Sequence, residues 1–540
     1  MTSTPSVTPD IPVSSRAHAT DIPAGDAGRS GSAGPPPVPR ARARARPGWI
    51  LAVVLAGQFM GVLDAFIVNV AAPDLRADLH TSGALLQLVV AGYSIAYSVL
   101  LITGARLGAR VGHGRMFLGG LAVFTVASLA CGLAQGPGQL IAFRLAQGAG
   151  AGLMLPQVLS LIQHTFTGTS RTRALGAYAA VLGVGAAAGQ LVGGALVSAD
   201  LFGSGWRPVF LINVPIGVLL LVAGVRVLGG RDAAGAAGAG GTDRAVGASG
   251  AGRAAGDRAP SRALDLPGLF LLAAAVLLFT VPVVLGQELD WPLWGWVSLA
   301  LCAVVFTVFA LYETRLSRRG GSPLLSPRVL RAPGVPLAVF RILTMMAVNG
   351  GFTFVLMLHL QGGLGQSALR AGLTMVPTCA AFSVAGLGWR RLPERWHALL
   401  SPGGFLLGAA SLAGIGALYA GGGDGGPLVY VLMATEGLGM SLAYNPVLAG
   451  AVARVRQEDA ADASGLLVTT AQIGLLVGVA VFGAVFLGRA ESGTGPLASA
   501  HAMGLTCGAM AAAAVAGCLA GAVRALARLR GDPRAARADR

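Results

Sequence analysis

Residues 49–75 read WILAVVLAGQFMGVLDAFIVNVAAPDL. From Trp49 to Ala72 the stretch carries a single charge, Asp64, and as a helix it is long enough to cross roughly 30 Å of hydrocarbon. An acid near the centre of such a helix costs about 2.5–3.5 kcal/mol to insert, so Asp64 is expected to face a cavity or a partner and to carry function. Windows of the same kind recur along the chain. Hydrophobic residues fill 54% of its 540 positions, 11% are charged and the mean hydropathy is +0.69, where an ordinary soluble chain carries about 25% charge. That balance excludes a soluble protein of several domains.

Fourteen spans are predicted, beginning near residues 49, 84, 115, 138, 174, 207, 265, 292, 334, 368, 397, 427, 463 and 502. They are continuous apolar runs without the alternation of a barrel strand, and only helices or closed barrels satisfy their backbone in lipid. The expected fold is an all-α polytopic membrane protein of fourteen transmembrane helices. All 39 basic residues are arginine, so the chain alone offers no lysine for a Walker A loop or a Schiff base. The net charge of +16 belongs to one side of a membrane and calls for no nucleic acid. Alternate connections carry few arginines (Arg76, Arg207, Arg370, Arg489). The opposite ones carry Arg106, Arg110 and Arg115, then Arg171 and Arg173, then Arg390, Arg391 and Arg395, then Arg454 and Arg456, and both tails join that side. The positive-inside rule therefore predicts a multi-pass protein of the cytoplasmic (inner) membrane with both termini cytoplasmic.

The same reading divides the chain. Residues 1–48 form a disordered cytoplasmic tail without a signal peptide, 49–228 a six-helix bundle, and 229–264 a flexible Gly, Ala and Arg rich linker. Residues 265–313 add two helices, 314–333 a basic cytoplasmic connection, 334–527 a second six-helix bundle and 528–540 a basic tail. This 6+2+6 arrangement predicts two bundles that move against each other around a midplane site. The five cysteines lie in apolar runs with no CxxC spacing, which fits packing and neither a disulfide nor a metal site.

Five stretches in order carry a family resemblance: LDAFIVNVAAPDL from Leu63, RLAQGAGAGLMLP from Arg144, WRPVFLINVPIG from Trp206, LQGGLGQSALRAGLTMVP from Leu360, and DASGLLVTTAQIGLLVGVAVFGAVF from Asp462. Together they resemble the fourteen-helix drug:proton antiporters of the major facilitator superfamily, the EmrB/QacA type. The resemblance implies proton exchange, or a hold on the first helix, at the arginine of the second stretch, Arg144, which counting along the helices puts at a depth close to that of Asp64. Gln147 shares its face one turn on. Glu436, in MATEGLGMSLAYNP, lies about as deep as Asp64 in the second half and is expected to bind a cationic substrate, carry a second proton or pack helices. Arg341 is set aside as able to snorkel from a helix end.

Two further motifs depart from the family. ARLGARVGHGR resembles its cytoplasmic gating loop, keeping Arg106, Arg110, Gly112 and Arg115 but placing Ala109 where an aspartate is usual, so the latch is weakened or rebuilt elsewhere. Gly185, Gly189, Gly193 and Gly194 resemble the antiporter-motif helix, with Gln190 in place of the usual proline; small residues at that spacing let helices approach closely. Candidate substrate-cavity residues are Gln147, Met154, Asn349, Phe352 and Glu436. The resemblance implies a proton-coupled exporter of amphipathic or hydrophobic small molecules, such as antibiotics or toxic metabolites, working by alternating access. It is expected to be a monomer in the lipid bilayer and no enzyme, with substrate and protons as partners and no cofactor or metal beyond the proton gradient. The alternatives are a facilitator or importer of the same fold, and a polytopic membrane enzyme or sensor, for which no HExxH or nucleophile constellation is found.

Overall fold

The computed structural model describes residues 47–240, 265–286, 288–456, 459–490 and 496–529. The first six long helices are α1 (Pro47–Asp78), α2 (Gly83–Val111), α3 (His113–Gly132), α4 (Pro137–Thr165), α5 (Gly168–Ala199) and α6 (Pro208–Leu228). Next come α7 (Leu266–Leu285) and α8 (Leu293–Arg318). The last six are α9 (Val335–Gly363), α10 (Ala368–Arg391), α11 (Leu399–Tyr419), α12 (Leu428–Ala453), α13 (Asp462–Ala490) and α14 (Pro496–Ala522). Thirteen of them are long and apolar enough to cross a bilayer. The other, α12, runs for 26 residues and has its hydropathy lowered by Glu436, Tyr444, Asn445 and Pro446. The described residues contain no strand. The chain is a multi-pass membrane protein of the predicted helical class.

The helix starts fall within about six residues of those predicted, with the largest differences at α5 and α14. Both open on polar and small residues, GTSRTR and PLASAHA, which read as connection although their backbone is already helical. Helical backbone also continues past α6 to Gly240, into the stretch expected to be a linker. The expectations for 1–46, 241–264 and 530–540 lie outside the described residues.

Within the first six helices, α4 packs on α2 and α3, α5 on α1, and α6 on α3 and α1. Within the last six, α9 packs on α13, α11 on α12 and α14, and α10 on α12. Glycine makes these approaches close: a Cβ at Gly120 would stand 2.7 Å from the Met154 nitrogen, and one at Gly439 2.6 Å from the Gly408 nitrogen. The two sets meet where α2 lies along α13 and α5 along α10. At the arginine-poor end this contact is tight. The Leu369 amide donates to Ser198 Oγ (3.0 Å), the Gln361 amide to the Val70 carbonyl (2.9 Å), and a Cβ at Gly194 would meet the Ala368 carbonyl oxygen at 2.6 Å. Toward the arginine-rich end α5 exposes Ser170, Arg171, Arg173 and Leu182. The α7–α8 pair packs through α7 on α2 and α13, while α8 turns most of its surface outward.

Candidate functional site

Asp64 lies just past the midpoint of α1, and its carboxylate is fully buried. A buried charge needs a counter-charge and hydrogen bonds to its remaining lone pairs, and three side chains from two helices supply them. Arg144 of α4 donates Nη1 to Oδ2 at 2.7 Å, Gln147 of α4 donates Nε2 to Oδ1 at 2.8 Å, and Asn213 of α6 donates Nδ2 to Oδ1 at 2.7 Å. Arg144 and Gln147 sit one turn apart and also bond to each other at 2.7 Å. The guanidinium reaches the Val89 carbonyl at 3.4 Å, with the rings of Tyr93 and Phe210 centred 4.8 and 5.6 Å from its carbon. Gln147 donates onward to Ser128 Oγ on α3 at 2.8 Å, and the Tyr93 hydroxyl closes the group by donating to the Gly61 carbonyl at 3.2 Å. The α1 acid is thus tied to α4 and α6, and through Gln147 to α3, in a buried cluster: Asp64, Arg144, Gln147, Ser128 and Asn213 all have 0% exposure.

The glycine stripe of α5 buttresses the same part of α1. Cβ atoms at Gly185, Gly189 and Gly193 would meet Val62, the Leu63 carbonyl oxygen and Ile67 at 3.1, 2.7 and 2.8 Å. Gln190, where the resembled family has proline, is buried, and neither its amide nitrogen nor its oxygen has a hydrogen-bond partner. Its carbonyl faces Gly372 of α10, the other half's helix.

Glu436 of α12 is also fully buried, but neither carboxylate oxygen has a hydrogen-bond partner. Its helix closes on α10, where Gly437 abuts the Thr378 backbone and the Thr378 hydroxyl donates to the Met433 carbonyl at 2.8 Å. Glu436 and Asp64 therefore occupy separate helix sets. The cavity candidates scatter. Met154 fills the interior of the first set against Phe117 and Leu121. Phe352 is buried in the apolar core, and half-buried Asn349 points its amide at Met440 Sδ, 3.5 Å away. Arg341, expected to snorkel, is buried instead, 8% exposed, with its guanidinium 5.0 Å from the centre of the Phe405 ring.

At the arginine-rich end Ala109, Arg110 and Arg115 are exposed, and Gly112 turns the chain from α2 into α3 at φ 106°, a conformation that favours glycine. Arg106 does something the motif does not announce. Its guanidinium donates to the main-chain carbonyls of Ser322 (2.8 Å) and Pro323. The other side of that segment is gripped by acids: Asp265 at the start of α7 accepts from the Leu324 amide (3.3 Å), and Glu313 of α8 from the Leu325 amide (3.0 Å). Beside it, buried Gln157 donates to the Gly104 carbonyl at 2.8 Å and pairs with His113 Nδ1 at 2.8 Å, fastening α4 to α2 and α3. Sequence reading missed Asn213, Ser128, Gln157 and the Asp265–Glu313 pair. Asn213 had a signal, being the one amide in the apolar run VFLINVPIGVLL.

The family model described as Major Facilitator Superfamily matches residues 54–332. A probable actinorhodin transporter of Streptomyces coelicolor is 37% identical over 463 residues, covering 85% of this chain and 74% of its own. The tetracenomycin C resistance and export protein of Streptomyces glaucescens is 33% identical over 469 residues, 84% of this chain and 78% of its own. Among solved structures, a bacterial homologue of the human lysosomal transporter Spinster, in an inward-facing and occupied conformation, superposes with a TM-score of 0.61 at 15% identity, over 89% of this chain and 97% of that one. The relatives are transporters of small molecules and not enzymes, several of them antibiotic exporters and resistance proteins, and this chain belongs to the Major Facilitator Superfamily.

Proposed function

We propose that the protein is a proton-coupled exporter of amphipathic or hydrophobic small molecules, antibiotics among them, in the cytoplasmic membrane with both termini inside. The observation that carries this reading is the buried Asp64–Arg144 pair with its Gln147 and Asn213 donors. Protonating the carboxylate removes the charge that draws Arg144 to α1. The guanidinium then retains partners on its own side, Gln147, the Val89 carbonyl and two aromatic rings. Gain and loss of one proton thereby switches α1 between tethered and released. The tight α5–α10 contact at the arginine-poor end supports a state closed to the outside, with the six-helix sets rocking about it. Glu436, buried without a hydrogen bond in the second set, serves a second proton or a cationic substrate. The exporter names of the relatives support outward direction. One charge crossing about 100 mV yields roughly 2.3 kcal/mol, so each proton supports about a fiftyfold gradient.

Purified protein in proteoliposomes tests this. An imposed pH gradient should drive accumulation of an antibiotic substrate against its gradient, and a proton ionophore should abolish it. Equilibration of the antibiotic at the same rate with and without the pH gradient would identify a facilitator and end the coupled reading.

A further inference from the structure

A cleft of about 840 Å³ opens at the arginine-rich end and shares no lining residue with the Asp64 cluster. Five arginines line it: Arg318 from the last residue of α8, Arg328 and Arg331 from the short turn of helix that leads into α9, and Arg454 and Arg456 from the α12–α13 connection. Among the described lining residues Asp459 is the one acid. Pro327 and Val329 are buried beneath them, while all five arginines remain exposed. Two neighbouring chain segments and a third far from them in sequence thus bring guanidinium groups to one hollow, and the planar fork of arginine matches phosphate oxygens two at a time. The hydroxyls of Thr314 and Ser317 also line the hollow.

The surface beside the cleft narrows the ligand. Leu301, Val304, Val308 and Leu311 of α8 are 46%, 57%, 46% and 53% exposed, and their spacing of three and four residues puts them on one stripe of the helix. Seven residues further, two turns on, stands Arg318. An apolar track along a membrane helix that ends in a nest of arginines fits a molecule with a hydrocarbon tail and an anionic head. The cleft lies at the ends of α8 and α12 and the start of α9, the level at which headgroups sit. We propose that this cleft binds the phosphodiester headgroup of an anionic phospholipid, with an acyl chain lying along the α8 stripe. A basic hollow between helices on the inner leaflet side suits such a lipid. Free inorganic phosphate would use the arginines and leave the stripe idle. The proposal depends neither on proton coupling nor on the direction of transport.

The test uses the full-length protein in detergent, titrated with phosphatidylglycerol, phosphatidylcholine or inorganic phosphate and read by native mass spectrometry. Phosphatidylglycerol should bind at least tenfold more tightly than phosphatidylcholine. The triple change Arg328→Gln, Arg331→Gln, Arg454→Gln should erase that preference, while Arg390→Gln with Arg391→Gln, elsewhere on the same face, should leave it intact. A second measurement needs no variant: phosphatidylglycerol, and neither phosphatidylcholine nor inorganic phosphate, should slow phenylglyoxal modification of Arg328 and Arg331 in the native protein. An undiminished preference in the triple variant, or no lipid protection of those arginines, would overturn the site. Equal protection by inorganic phosphate would overturn the lipid and leave a simple anion hollow.

Discussion

Asp64 is legible in the sequence because a carboxylate in hydrocarbon is energetically conspicuous, and Arg144 because it recurs at matching depth in another helix. Their amide partners are not legible in the same way. Asn213 and Gln157 cost an apolar helix far less than a charge, so they disappear among its other polar residues until geometry shows what they hold. Arg341 was misjudged for a related reason, since counting from a helix end gives depth but not the face on which the side chain emerges. The geometry also alters what a neutral replacement of Asp64 should do. Relieving a buried acid would by itself leave stability equal or higher, but Asp64→Asn strands the guanidinium of Arg144 and offers an amide to two amide donors. Breaking a buried pair from one side costs about 3–5 kcal/mol. The variant should insert, unfold at a lower temperature than the native protein in a detergent melt, and transport at background. Asp64→Glu should retain part of the activity with a displaced pH optimum. An Asp64→Asn protein that pumped with a normal pH profile would assign the acid a purely structural role.

Among the helices, length and apolarity made nearly everything visible. Even α12, whose Glu436 and Asn445 depress its hydropathy, is read as a span from its neighbours and the alternation of arginines. What a helix packs against is harder to read, because small residues permit an approach without naming the partner. The α5 stripe divides its work: Gly185, Gly189 and Gly193 face α1, whereas Gly194 faces α10. Of the three that face α1, Gly189 has the least room, since a Cβ there would stand 2.7 Å from the Leu63 carbonyl oxygen, one residue before Asp64. Gly189→Val should therefore push α1 from α5 and cost about 1–3 kcal/mol by overpacking. It should lower both melting temperature and transport, while Gly176→Val, at an open position of the same helix, changes neither. Equal behaviour of the two variants would mean that α1 and α5 are not held by that contact.

For the molecule as a whole, orientation is the most exposed expectation, since it rests on where the arginines fall. Reporter fusions at Arg540 and within 241–264 should both report cytoplasm, and one within 421–426 should report the outside. An outside signal from the C-terminal fusion would remove one helix from the membrane or add one. How the helix sets meet was beyond the sequence. Apolar faces look alike whether they meet lipid or another helix, so nothing in α2 or α5 singles out α13 or α10 as partner. The gating loop shows a further limit, because its usual acid is missing at Ala109 while Arg106 clasps a segment more than two hundred residues away. That clasp has an evolutionary side. Arg106 reads carbonyls, and Asp265 and Glu313 read amides, so the segment 322–325 is recognised through its peptide skeleton. The side chains of Ser322 and Pro323 are free to drift between species without loosening the joint, whereas Leu324 is buried in an apolar cluster and neither 324 nor 325 can become proline. Lineages should accordingly keep the three gripping residues and apolar side chains at 324 and 325, while residues 322 and 323 vary.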